Sequence, residues 1–215
     1  MHWVEVSGYP LPQRYAGHPA LELCNTWAGW QDAVWTGGDH APGHEWLRDY
    51  DRFAVWAGYV GLLDESSVTW LRRRAAEEPA AAESGLNQAR QVRTALYRVL
   101  TGPPDAEAFG VVAATARAAM AASELVDEQR GAQRVARWRI PTVGLEQPAL
   151  AAAFAAAELL CGPDRAKVRA CPGGDCGWLF IDQRGRRRWC SMESCGNRAK
   201  VRSHAARQRG TAPAQ

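Results

Sequence analysis

Four of the chain's six cysteines fall late in the sequence as two pairs of equal spacing, Cys171-x4-Cys176 and Cys190-x4-Cys195, with thirteen residues between the pairs. Each short gap lets a tight turn present two sulfurs to one point. Four thiolates complete a closed tetrahedral shell around Zn²⁺ at about 2.3 Å per bond. Pro172, Gly173 and Gly174 suit the first turn, where the backbone must fold back toward the sulfurs. A site with four protein ligands leaves no position for water, so one zinc ion held here is structural rather than catalytic. Two disulfides, or a reduced packed cluster, are the competing readings of the same spacing.

The charge distribution sets this segment apart. Residues 1–150 hold 14 Arg against 18 acidic residues, whereas residues 151–215 hold 12 Lys and Arg against 5. Four thiolates around a dication carry a net charge of −2, so some arginines can neutralise the site. The excess of 12 basic over 3 acidic groups across residues 165–209 is larger than that requires and suits an anionic polymer.

The first 160 residues read as an α+β body, mostly helical with short strands. Seven of ten tryptophans lie within the first third, which implies a packed core or a binding pocket there. Residues 20–26 (ALELCNT) alternate loosely and predict a short strand. Residues 36–42 predict a loop. Helical spacing predicts helices over 49–59, from Asp64 or Ser66 through Ala75, over 84–100, over 105–121 and over 147–160. Residues 124–140 predict a hairpin turning at Gln129-Arg130-Gly131. In the cysteine segment, residues 178–182 predict a strand, Gln183-Arg184-Gly185 a turn, 187–189 a returning strand, and 197–208 a helix. Knuckle, hairpin, second pair and helix are the order of a treble-clef zinc finger. Cys24 and Cys161 are expected to be ordinary buried thiols.

The stretch WLFIDQRGRRRWCSMESCGNRAKVR closely resembles the CGNR zinc finger, whose name is the motif Cys195-Gly196-Asn197-Arg198. The match covers about residues 168–209. It implies that Cys171, Cys176, Cys190 and Cys195 are the zinc ligands. Such fingers follow an ABATE domain, and residues 18–160 look like one, through LELCNT at 21–26 and DRFAVWAGYVGLLDESSVTWL at 51–71. Members are described as stress-induced transcription regulators, with the finger implied to bind DNA. The expected organisation is therefore a body over 1–162, a finger over 163–210 and a disordered tail over 211–215. A small zinc module depends on its metal while a body of about 160 residues can build its own core. Loss of one ligand is thus expected to unfold the finger alone.

The function expected is DNA binding by the finger, with the body sensing a small molecule or forming a homodimer. Arg186, Arg187, Arg188, Arg198, Lys200, Arg202 and Arg207 are the candidate contacts, since guanidinium and ammonium groups suit phosphate and guanine. Asn25 and Thr26, at a strand end amid many tryptophans, and Arg93 are the candidate ligand pocket. RNA binding is an alternative if Trp178, Phe180 and Trp189 stack on bases rather than form the finger's core. A protein-interaction module with a purely structural zinc is another. No enzyme is expected, because no phosphate-binding glycine loop or nucleophile motif occurs, and Asp39-His40 and His44-Glu45 sit in a Gly/Pro-rich loop. No membrane span or secretion signal is read, so the expected setting is the cytoplasm.

Overall fold

The computed structural model describes residues 3–30, 45–142, 144–173 and 176–210. Trp35, the loop at 36–42, His44, Gly174 and the tail at 211–215 lie outside them. The chain opens with a hairpin, β1 (Trp3–Val6) and β2 (Tyr9–Pro12), and a six-residue helix, α1 (Pro19–Cys24). Helices α2 (Tyr50–Tyr59), α3 (Glu65–Glu77), α4 (Pro79–Thr101) and α5 (Ala106–Ala122) follow. A second hairpin, β3 (Glu124–Arg130) and β4 (Gln133–Arg139), precedes α6 (Gln147–Cys161). A 3₁₀ turn (Pro163–Lys167) leads to β5 (Val168–Ala170), β6 (Leu179–Ile181), a π turn (Met192–Gly196) and α7 (Asn197–Gly210). Among the described residues no helix is long and apolar enough to cross a membrane.

Aspartates set three helix starts. The side chains of Asp49, Asp64 and Asp105 accept from the backbone N–H of Arg52, Ser67 and Ala108, satisfying groups that a helix end leaves unpaired. Helix α6 occupies the centre. Its buried Ala149, Ala152, Ala153, Ala155 and Ala156 have small side chains, which lets α1, α4 and α5 approach closely. The β3–β4 hairpin lies on the surface and is fastened by cross-strand ion pairs. Arg137 forks onto Glu128 at 2.7 Å, and Arg134 donates to Asp127 at 2.9 Å.

Three expectations require correction. Residues 20–26 do not form a strand; α1 stands there, started by Pro19 at its first turn and capped by His18, whose Nδ1 accepts from Ala20 N. Every residue from Ala20 to Cys24 is buried, so the apolar pattern carried no usable period. The strand β6 pairs antiparallel with the upstream β5, not with residues 187–189. Its other edge is already taken, because the N–H groups of Leu179 and Ile181 bond to Asn25 Oδ1 and to the Ala16 carbonyl. Cys161 is exposed, whereas Cys24 is buried as expected.

Glu22 is an acid enclosed in the core, 5% exposed, accepting from Ala16 N at 2.8 Å. Burial pushes its pKa up to about 7 from 4.5, against the opposing pull of the N–H groups of Ala16, Gly17 and Tyr15 and the charge of Arg14. Because the folded pKa lies above the unfolded one, stability is full below about pH 4.5 and declines as pH rises through about 7. The loss amounts to about 3 kcal/mol. Glu22→Gln should therefore gain on the wild type between pH 5 and 8 in urea denaturation. Parallel stability profiles for the two proteins would contradict this.

Candidate metal centre and basic surface

Cys171, Cys176, Cys190 and Cys195 are buried, with their sulfurs all within 4.8 Å of one another. Cys176 Sγ lies 3.7 Å from Cys190 Sγ, which lies 3.5 Å from Cys195 Sγ. A disulfide would require about 2.05 Å, so no disulfide joins these sulfurs. Tetrahedral zinc with bonds of about 2.3 Å places its sulfurs about 3.8 Å apart, and the cluster fits that geometry. The four thiolates would hold the ion, closing the fold without offering an open position for chemistry.

The local sequence builds this cage. A Cβ on Gly173 would stand 3.1 Å from Cys176 Cβ and 3.3 Å from Cys195 Sγ, so a side chain there would crowd the sulfurs. A Cβ on Gly196 would approach Met192 Sδ to 2.7 Å and Trp189 Cδ1 to 3.3 Å, so the exposed Met192 side chain would have to shift. Asn197 Nδ2 reaches back to Glu193 O at 3.2 Å across the π turn. Arg198 Nη2 donates to Cys195 Sγ at 3.2 Å. The four-residue motif is thus a ligand, a close approach, a turn tie and a counter-charge, in that order.

The arginines divide. Arg187 is half-buried, donates to Tyr15 O at 2.7 Å and to Trp189 O at 3.1 Å, and also bonds to Cys190 O. Its guanidinium sits 4.4 Å from the centre of the Phe180 ring. Arg187 therefore clamps the second cysteine pair to the body, with Nε and Nη2 engaged by backbone carbonyls. Arg198 likewise faces the metal site. By contrast, Arg188, Lys200, Arg202 and Arg207 line one shallow cavity of about 430 Å³, together with Trp189, Met192 and Ser203. Arg186 is exposed on the preceding turn. Sequence reasoning missed Met192 and Ser203 because neither carries charge.

Asn25, Thr26 and Arg93 do come together, but as a buried network with all three fully enclosed. Asn25 uses both amide atoms on one residue: Nδ2 donates to Leu179 O at 2.9 Å, and Oδ1 accepts from Leu179 N at 2.8 Å. Thr26 Oγ1 donates to Leu23 O and accepts from Arg93 Nη1, which also donates to Glu45 at 2.7 Å. Apart from Arg93 Nε, which is buried without a partner among the described residues, these polar atoms fasten protein to protein. Trp178 Nε1 donates to Trp27 O, Tyr97 Oη to Gly177 O, and Trp30 N to Cys176 O. Trp30 also stacks on Tyr97 with ring centres 3.9 Å apart. Ala16, Leu21, Cys24, Trp27 and Trp30 accordingly form a single buried cluster with Cys171, Cys176, Trp178 to Ile181, Cys190 and Cys195.

A four-cysteine treble clef fused to a mostly helical body defines the class as a zinc-finger protein. Residues 167–208 match the family model of the CGNR zinc finger, and residues 17–163 match the ABATE model, described as "Putative stress-induced transcription regulator". The chain belongs to this ABATE family and carries its CGNR finger. Neither family is described as an enzyme. None of the curated proteins matches the chain.

Arg187→Ala should weaken zinc binding about 10- to 100-fold in chelator competition, because a supporting partner of the ligand shell is lost. Arg186→Ala should leave zinc affinity unchanged. Equal zinc affinity in both variants would overturn the role given to Arg187.

Proposed function

We propose that the protein is a zinc-dependent DNA-binding transcription regulator in which the finger meets DNA and the body supplies its rigid mount. The observation that carries this reading is the separation of the arginines. Arg187 and Arg198 serve the metal site, while Arg188, Lys200, Arg202 and Arg207 surround one open groove beside α7. At 100° per residue, Lys200, Ser203 and Arg207 share a side of α7, whereas Arg202 falls on the opposite side. A helix carrying cations on one side, next to a basic turn, is suited to phosphates flanking a groove. The body is assigned ligand sensing or homodimer assembly in the same scheme.

A protein partner is the second reading, favoured by Met192, which lines the same groove and is 53% exposed. RNA stacking draws less support, since Trp178 and Phe180 are 3% and 1% exposed and form core instead.

Zinc-loaded protein should bind short duplex DNA with affinity that falls steeply in salt. Lys200→Ala combined with Arg207→Ala should reduce the salt slope by about 2 and weaken binding across all sequences. Retained binding in that double variant would overturn the assigned surface. Absence of DNA binding by the wild type would favour the protein partner.

A further inference from the structure

We propose that the body pairs two copies of this chain through the outward face of α5, with the two helices antiparallel about a two-fold axis. Helix α5 packs on α4 and α6 through Ala108, Val112, Thr115, Ala116 and Ala119. Most of its remaining surface is turned to solvent and is apolar. Phe109 and Met120 are 49% and 63% exposed, and Val111 is exposed as well. At 100° per residue, Gly110, Ala113, Ala114 and Arg117 fall within an arc of about 100°, with Phe109 and Met120 along one border and Glu107 and Val111 along the other. A contiguous apolar face fringed by large side chains and charges marks a contact surface. The proposal locates the assembly role given to the body above, and so rests on that part of the reading; DNA binding by the finger plays no part in it.

Gly110 separates a contact face from an idle one. A glycine inside a helix is less stable than an alanine there. A Cβ at Gly110 would meet no described atom within 4 Å, so the packing of its own chain gives no reason for the glycine. A second helix laid across this point supplies the reason, because two backbones approach closely only where side chains are small or missing.

Charge identifies the occupant. Glu107 and Arg117 are the two charged residues of α5, and both are exposed. Neither has an ion-pair partner among the described residues, whereas the neighbouring Asp105 is held by Arg98 at 2.5 Å. Glu107 and Arg117 stand about 15 Å apart along the helix axis. A second copy laid antiparallel, with the two-fold axis level with Val112, brings each copy's Glu107 level with the other's Arg117. The same operation sets each Gly110 level with the other's Ala114, the closest approach at the centre of the contact. One symmetry operation thus answers both charges twice. A different partner would have to supply its own cation and anion at that spacing and in that order.

Sedimentation of the full-length, zinc-loaded chain over a range of concentrations should show a reversible equilibrium between monomer and dimer. Gly110→Trp, at a position open in the monomer, should raise the dissociation constant of the dimer by about tenfold or more, since it holds the helices apart. Arg117→Glu should raise it about tenfold by setting like charges against each other at two places. Adding Glu107→Arg to that variant should return the constant to within about threefold of the wild type, because the reversed pairs match again. That rescue is a result that a merely structural role for either residue would not produce. Arg117→Glu, at an exposed position, carries the test if Gly110→Trp fails to fold. A wild type that stays monomeric throughout, a dimer indifferent to Gly110→Trp or to Arg117→Glu, or no restoration in the double variant would overturn the proposal. None of these readouts involves DNA, so a failure here is distinct from a failure of the finger to bind it.

Discussion

The amide of Asn25 reads the backbone of Leu179 in both directions, and the relation between body and finger depends on that contact. Each hydrogen bond contributes about 1 kcal/mol net, and leaving such buried groups unpaired costs about 1–3 kcal/mol apiece. The bonds occupy the free edge of β6, the strand that follows the first cysteine pair. Around them Trp178, Tyr97 and Trp30 add bonds to the segment carrying the ligands. The body and the metal cage therefore share one core, and the expectation of a finger that folds and unfolds alone does not match the packing.

The same contact explains how the positive charge is divided. With β6 pressed against the body, the second cysteine pair lies beside Tyr15, and Arg187 bridges the two. Arg198 offsets the charge of the thiolates from α7. The remaining cations are left to the outer side of the finger, where they surround a groove rather than a ligand. A net positive segment is thus two populations, one internal and structural, the other lining an outer groove.

The features legible in the sequence were those with local causes. The cysteine spacing gave the metal shell, and Asp64 marked the start of α3. Glu124 to Arg139 folds as the hairpin its composition indicates, with the turn tightened around Gly131 at φ 60°. What escaped was set by distant partners. The alternation of ALELCNT pointed to a strand because burial on all sides of α1 erases helical period. Asn25 and Leu179 are 154 residues apart, and nothing in either stretch announces the pairing. The arginines looked equivalent as a list, and only three-dimensional placement separates Arg187 from Arg188.

The most direct test of a shared core is hydrogen exchange across the chain before and after zinc is stripped by a chelator. Joint anchorage predicts faster exchange in residues 19–26 and around Tyr97 as well as in residues 168–209. The body would loosen where Asn25 and Tyr97 lose their backbone partners. Faster exchange confined to residues 168–209, with protection in α1 unchanged, would contradict the account and restore an independent finger.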